Sequence, residues 1–126
     1  MNGSNRVVLD TNAVISLLAG NLALAEQLEA AEYVGISIIS YLEFLAFDGL
    51  SEGDRDCFAR FCERIEVVAL SLDDEELISE ALALRTHHGL KLPDAIIGAT
   101  ALTRNALLIT NDIHFADLPH VAVQGC

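Results

Sequence analysis

Short β-branched runs alternate with longer helical patterns along the whole chain, and this alternation restricts its possible folds more than any other feature. Arg6 to Leu9 reads as a short apolar strand, followed at once by a helical stretch through Leu18. Asn21 begins a second helix to about Ala31, with Leu22, Ala25 and Leu28 on one face. Tyr33 to Ile39 reads as a buried strand and Ser40 to Phe47 as a short helix, broken by Asp48-Gly49. Ser51 has the place of a cap for the next helix, in which Cys57, Phe58, Phe61, Cys62 and Ile65 form an apolar stripe. Glu66 to Leu70 is a third strand. Asp73 to His88 is helical, with Leu77, Ile78, Ala81 and Leu82 facing inward and Gly89 at its carboxyl end. Pro93 opens a helix to about Asn105, Ala106 to Ile109 is a fourth strand, and Val121 to Val123 a short last one. Strands alternating with helices pair in parallel through right-handed crossovers. The expected fold is therefore α/β, a three-layer α/β/α sandwich with a mostly parallel central sheet. At 126 residues it fills one domain, residues 1–126.

No apolar run reaches the roughly 18 residues needed to cross a bilayer. The amino-terminal stretch Met1 to Arg6 lacks the charged-then-apolar layout of a signal peptide, so a cytoplasmic protein with no membrane partner is expected. Three cysteines, Cys57, Cys62 and Cys126, are an odd number without CxxC spacing, which argues against a disulfide framework or a zinc site. Cys57 and Cys62 read as small core hydrophobes.

In open parallel sheets, ligands gather outside the carboxyl ends of the strands. The first strand delivers Asp10-Thr11-Asn12 there, Glu43 follows the second within a helical turn, and the fourth ends in Thr110-Asn111-Asp112. Asp94 stands just after Pro93, in the first turn of its helix. Each acid has an ordinary structural explanation. Asp10 fits a helix N-cap, and Ser40-Tyr41-Leu42-Glu43 fits a capping box. Pro93-Asp94 suits the start of a helix, and Asn111-Asp112 a turn. A cap need not be acidic, however, and all four acids fall where one sheet edge can gather them. Carboxylates at close quarters repel and raise one another's pKa unless a cation joins them. Oxygen-only ligands suit a hard cation such as Mg²⁺ or Mn²⁺.

Four stretches taken in order resemble PIN domains of VapC-type toxins, ribonucleases of type II toxin–antitoxin systems. They are Val8-Leu9-Asp10-Thr11-Asn12-Ala13-Val14-Ile15, Ser40-x-x-Glu43, Leu92-Pro93-Asp94-Ala95-Ile96-Ile97-Gly98-Ala99-Thr100-Ala101-Leu102, and Leu108-Ile109-Thr110-Asn111-Asp112-x-x-Phe115. The resemblance covers nearly the whole chain. It implies a metal-dependent endoribonuclease in which Asp10, Glu43 and Asp94 match the family's catalytic metal ligands. Asp112 matches a fourth ligand position that is asparagine in many members. Thr11, Asn12 and Thr110 match its supporting polar residues. In such a site two cations roughly 3.5–4 Å apart can activate water and stabilise the leaving oxygen, with no His or Ser nucleophile. Products with 5′-phosphate and 3′-hydroxyl ends are implied, as are an RNA substrate, a homodimer and a small antitoxin. The antitoxin's basic tail would lie across the active-site groove.

The net charge of −12 works against RNA binding, which calls for lysine and arginine beside phosphates. Taking the four carboxylates out of that total still leaves −8. Arg85 and Lys91, bracketing the turn before Asp94, are the candidates for RNA contact. Arg55, Arg60 and Arg64 share a helix but spread over its faces. A metal-free mechanism would turn to histidine as acid and base. His87 and His88 instead sit at a helix carboxyl end, where the dipole favours their charge, and no partner is evident for His114 or His120. A haloacid-dehalogenase-type phosphohydrolase needs a second acid where Asn12 stands. A receiver-like module needs an acidic pair before the first strand and a lysine near the end, whereas Lys91 is the only lysine. The remaining alternative is a PIN-like partner-binding module with little or no nuclease activity, its acidic surface meeting a basic protein.

Overall fold

The computed structural model describes residues 5–126; Met1 to Ser4, part of the stretch read above for a leader, lie outside the described residues. In chain order the elements are β1 (Arg6–Leu9), α1 (Thr11–Leu18), α2 (Leu22–Ala30), β2 (Tyr33–Ser37), α3 (Ile38–Leu45) and α4 (Glu52–Glu63). They continue with β3 (Glu66–Val68), α5 (Glu75–His88), α6 (Leu92–Thr103), β4 (Leu107–Ile109), a 3-10 turn at Ile113–Phe115, and β5 (Val123–Gln124). The sheet order is β3-β2-β1-β4-β5, and every pair is parallel. The fold is the expected three-layer α/β/α sandwich, with a wholly rather than mostly parallel sheet.

A parallel sheet is buried on both faces, so its strands need apolar side chains on both. Val8 and Leu108 point into one core with Leu77, Leu84, Ile97 and Phe115 of the α5–α6 side. Val7, Leu9, Ile36 and Ile109 point into the other with Val14, Leu24, Phe44 and Phe58. The period-two alternation of the strand decides which residue enters which core. In the second core Phe44 stacks on Phe58 with ring centroids 4.1 Å apart.

The amino edge of the sheet holds a polar cluster. The Arg6 guanidinium lies over the Tyr33 ring, 4.4 Å from its centroid, and its Nε donates to the Arg104 carbonyl at 2.8 Å. Arg104 in turn meets Glu66 at 3.1 Å, and the Tyr33 hydroxyl donates to the same carboxylate. Two of the seven basic residues are thus engaged at the edge opposite the strands' carboxyl ends.

Several local expectations need correction. The second strand stops at Ser37, whose hydroxyl accepts from the Ile39 amide at 3.0 Å and caps α3. Ser40 is therefore inside α3, fully buried, and its hydroxyl has no hydrogen-bond partner among the described residues. The capping box read at Ser40 and Glu43 does not form, whereas Ser51 does form one, with Asp54. On α2 the inward residue is Leu24, and Leu22 is exposed. On α5 Leu84 takes the place assigned to Leu82, because the buried residues follow i, i+4, i+7 from Leu77. Cys57 is exposed rather than in the core, although Phe58 beside it is buried. Burial pushes the half-buried Cys62 thiol up to about 11, and all three cysteines are free. Gly89 ends α5 at φ 70°, a left-handed conformation that suits glycine. Among the described residues no helix is long and apolar enough to cross a membrane.

Candidate metal centre

The direction of chain progression across the sheet changes between β1 and β4, leaving a crevice at their carboxyl ends. Asp10 follows β1 directly, its backbone amide donating to Ile109 of β4 at 3.0 Å. Thr110 and Asp112 follow β4, Glu43 comes from α3, and Asp94 comes from the first turn of α6. An open cleft of about 540 Å³ is lined by Asp10, Glu43, Asp94 and Asp112, with Thr11 and Asn12 among them. Ile15, Ala46 and Phe47 complete its wall, and among the described residues no lysine or arginine lines it. A groove of similar size between α1, α2 and α4 is lined by Leu17, Leu28, Phe61 and Ile65 together with Arg60 and Arg64. It holds none of the sequence-predicted residues.

Local geometry fixes the acids. Asp10 is 5 % exposed. Its Oδ1 accepts from the Thr11 amide at 2.7 Å, and Oδ2 from the Thr110 hydroxyl at 2.7 Å and Asn12 Nδ2 at 3.2 Å. It caps α1 as the sequence allowed, with its second oxygen engaged by the side chains of Thr110 and Asn12. Thr11 also reaches the next acid, its hydroxyl donating to Glu43 Oε1 at 2.6 Å. Thr110 Oγ accepts from the Asp112 amide at 3.0 Å and from Asn12 Nδ2 at 3.2 Å. Asn12 Oδ1 accepts from the Asn111 amide at 3.0 Å. Thr11, Asn12 and Thr110 thus form one network joining the β1 and β4 ends.

The electrostatics favour a cation. Burial raises the Asp10 carboxyl above its ordinary value despite the opposing bonds from Thr110 and Thr11, and the charges of Glu43 and Asp112 raise it further. Asp94 is raised by burial, then by Asp112, Asp10 and Glu43, with His114 opposing. Asp10 and Asp94 therefore both feel the charges of Glu43 and Asp112, and among the described residues no lysine or arginine lines the cleft to neutralise them. Carboxylate and hydroxyl oxygens that are already oriented fit a hard divalent cation.

Other expected residues lie outside the cleft lining. Lys91 is exposed at the N-cap of α6, three residues before Asp94, and Arg85 is exposed in the last turn of α5. His114, for which the sequence offered no partner, sits with Nδ1 2.7 Å from Asp112 Oδ1. Only the i, i+2 spacing to Asp112 hinted at this contact, and that spacing is uninformative until the 3-10 turn is seen.

A model of the PIN domain family matches residues 7–121 of the chain. Among solved structures, a chain of a toxin–antitoxin complex from Klebsiella pneumoniae is 30% identical, with TM-score 0.74, over 92% of this chain and 95% of that one. A chain of VapBC2 from Rickettsia felis, bound to a DNA fragment from its promoter, superposes with TM-score 0.80 at 21% identity, over 95% of this chain and 98% of that one. VapBC-1 from nontypeable Haemophilus influenzae gives TM-score 0.72 at 24% identity, over 94% and 96%. The last two speak for the fold alone. No curated protein matches the chain.

Proposed function

The chain belongs to the PIN domain family, and on that premise we propose that it is a metal-dependent endoribonuclease, the toxin of a toxin–antitoxin pair. The observation that carries this reading is the cleft itself, where carboxylates from four separate chain segments converge with no lysine or arginine among them. A structural role does not require such a convergence, and mutual repulsion opposes it.

Asp10, Glu43, Asp94 and Asp112 would hold Mg²⁺ or Mn²⁺. A divalent cation, when bound, supplies polarisation of the scissile phosphate and a water of lowered pKa. The chain's own residues position the reaction. Thr11 couples Asp10 to Glu43 through its amide and its hydroxyl, so the two carboxylates are held together. Thr110 couples Asp10 to the Asp112 backbone through its hydroxyl, which donates to Asp10 and accepts from the Asp112 amide. Asn12 ties both to the turn after β4. One of the carboxylates would orient the attacking water, and the hydrogen-bonded network of Thr11, Asn12 and Thr110 would hold that carboxylate in place. Lys91 and Arg85, outside the cleft, are the proposed contacts for flanking RNA phosphates. They offset locally a charge that is unfavourable overall.

The relative at 30% identity comes from a toxin–antitoxin complex, which supports an antitoxin as the protein partner. A basic antitoxin segment is compatible with the acidic cleft and with the net charge of −12.

The test is cleavage of RNA by the purified protein in Mg²⁺ or Mn²⁺, with the ends mapped. The expected products carry 5′-phosphate and 3′-hydroxyl groups, and both EDTA and Asp94→Asn abolish them. Cleavage that persists in excess EDTA, or leaves 2′,3′-cyclic phosphates, would overturn the proposal.

A further inference from the structure

Among the described residues, His114 brings an imidazole against the acidic cluster. Ligating atoms of Asp94, Asp112 and His114 all lie within 4.8 Å of one another. Bonds of about 2.1 Å to a shared cation hold ligand atoms at most about 4.2 Å apart, so small side-chain rotations would bring the three together. We propose that His114 supplies a ring nitrogen to the cation held by Asp94 and Asp112, so that this part of the centre prefers Mn²⁺ to Mg²⁺. The proposal rests on the metal-dependent reading above and goes beyond it by adding a ligand that is not a carboxylate.

The local fold places this residue. Phe115 is fully buried and anchors the 3-10 turn Ile113–Phe115 in the α5–α6 core. Asp112 caps that turn, its Oδ1 accepting from the His114 amide at 2.9 Å. The turn therefore carries the His114 side chain back over Asp112, with Nδ1 at 2.7 Å from the same oxygen. That imidazole is 68% exposed, and an exposed contact of this kind contributes little to folding. Stability alone gives the ring little reason to be there, while a cation shared with Asp94 gives it one. Asp112 Oδ2 is left free of both His114 contacts. Mg²⁺ favours all-oxygen shells, and an imidazole nitrogen shifts preference toward first-row transition cations.

The test uses the full chain with Mn²⁺ as the probe, read by pulsed electron paramagnetic resonance and by titration calorimetry. The expected result is a ¹⁴N coupling to bound Mn²⁺ that disappears in His114→Ala, together with a fall of about tenfold in the Mn²⁺-over-Mg²⁺ affinity ratio. Wild type labelled with ¹⁵N-histidine should replace the ¹⁴N signal with a ¹⁵N one, which tests ligation without any substitution. Mn²⁺ binding that shows no nitrogen coupling, or coupling that persists in His114→Ala, refutes the role of His114 and leaves the ribonuclease reading standing. Absence of Mn²⁺ and Mg²⁺ binding altogether defeats both.

Discussion

Asp10→Asn separates a metal ligand from a structural cap because the two roles give opposite results without metal. Asparagine is nearly isosteric, and its carbonyl still accepts from the Thr11 amide in place of Oδ1. The amide nitrogen must then face Asn12 Nδ2 and Thr110 Oγ, which already accepts from Asn12 and Asp112, so the two charge-assisted hydrogen bonds accepted by Oδ2 are lost. Such a bond contributes about 1.5–3 kcal/mol. Against that loss stands the cost of a buried carboxylate beside Glu43 and Asp112, which amounts to several kcal/mol before compensation. The raised pKa of Asp10 says that this cost exceeds what its hydrogen bonds return. A carboxyl whose folded pKa lies above its unfolded value binds its proton more tightly when folded. Its contribution to stability is present at low pH and lost as the pH rises through the folded value.

In EDTA near neutral pH, Asp10→Asn should therefore unfold within about 1 kcal/mol of wild type, and the difference should move in favour of wild type as the pH falls. Metal should part them. At a free concentration of 100 times its Kd, a ligand stabilises by about 2.7 kcal/mol. For a domain of this size that is about 10 °C in Tm, at roughly 4 °C per kcal/mol. Wild type should gain that shift in Mn²⁺, and the variant most of it should lack. Thermal melts followed by circular dichroism, with and without metal, make the comparison. A loss of 3 kcal/mol or more in EDTA would show that the carboxylate is mainly structural, and an undiminished metal shift would remove Asp10 from the ligand set.

Two further predictions concern stability away from the acids. Ser37→Ala should cost about 1 kcal/mol by removing the α3 cap, whereas Ser40→Ala should raise stability by about 1 kcal/mol, since it deletes a buried hydroxyl without a partner. Urea unfolding of the two variants gives the order directly, and the reverse order would restore Ser40 as the cap. Burial and then the Glu66 carboxylate push the Tyr33 hydroxyl up to about 12 from 10.0. The stability this confers is intact below pH 10 and lost as the pH rises toward 12. A phenolate absorbance titration should show one tyrosine ionising in that upper range and missing from Tyr33→Phe. Ionisation of Tyr33 at an ordinary tyrosine pH would contradict the amino-edge cluster.

The alternation of β-branched runs and helices by itself determined the layer architecture, because a chain switching repeatedly between the two periods has few ways to bury both faces of its strands. The same pattern marked the acids at the strand ends, since Asp10 directly follows one short apolar run and Asp112 stands three residues after another. It could not decide where β2 ends. Tyr33 to Ile39 is rich in β-branched residues and interrupted only by Gly35 and Ser37, and such a run is compatible with strand or buried helix. The Ser37 hydroxyl on the Ile39 amide turns the chain into α3 and places Ser40 inside it, which leaves Glu43 free of any capping duty and bonded to Thr11. Helical faces were legible only to within two residues. Leu84 rather than Leu82 enters the core on α5, because facing depends on how the helix rolls against its neighbour.

What the tertiary structure alone decided is which groups share space. Asp94 meets Asp10 only because α6 returns across the sheet before β4 pairs beside β1. Arg6 and Arg104 are drawn to the amino edge by Glu66 and Tyr33, far along the chain from either, so the net charge of −12 never revealed which basic residues remain available. His114 reaches Asp112 through a turn whose position is set by the burial of Phe115. Local sequence encodes periodicity and caps through neighbouring residues, whereas juxtaposition at a site depends on packing between residues about one hundred positions apart, as with Asp10 and Thr110.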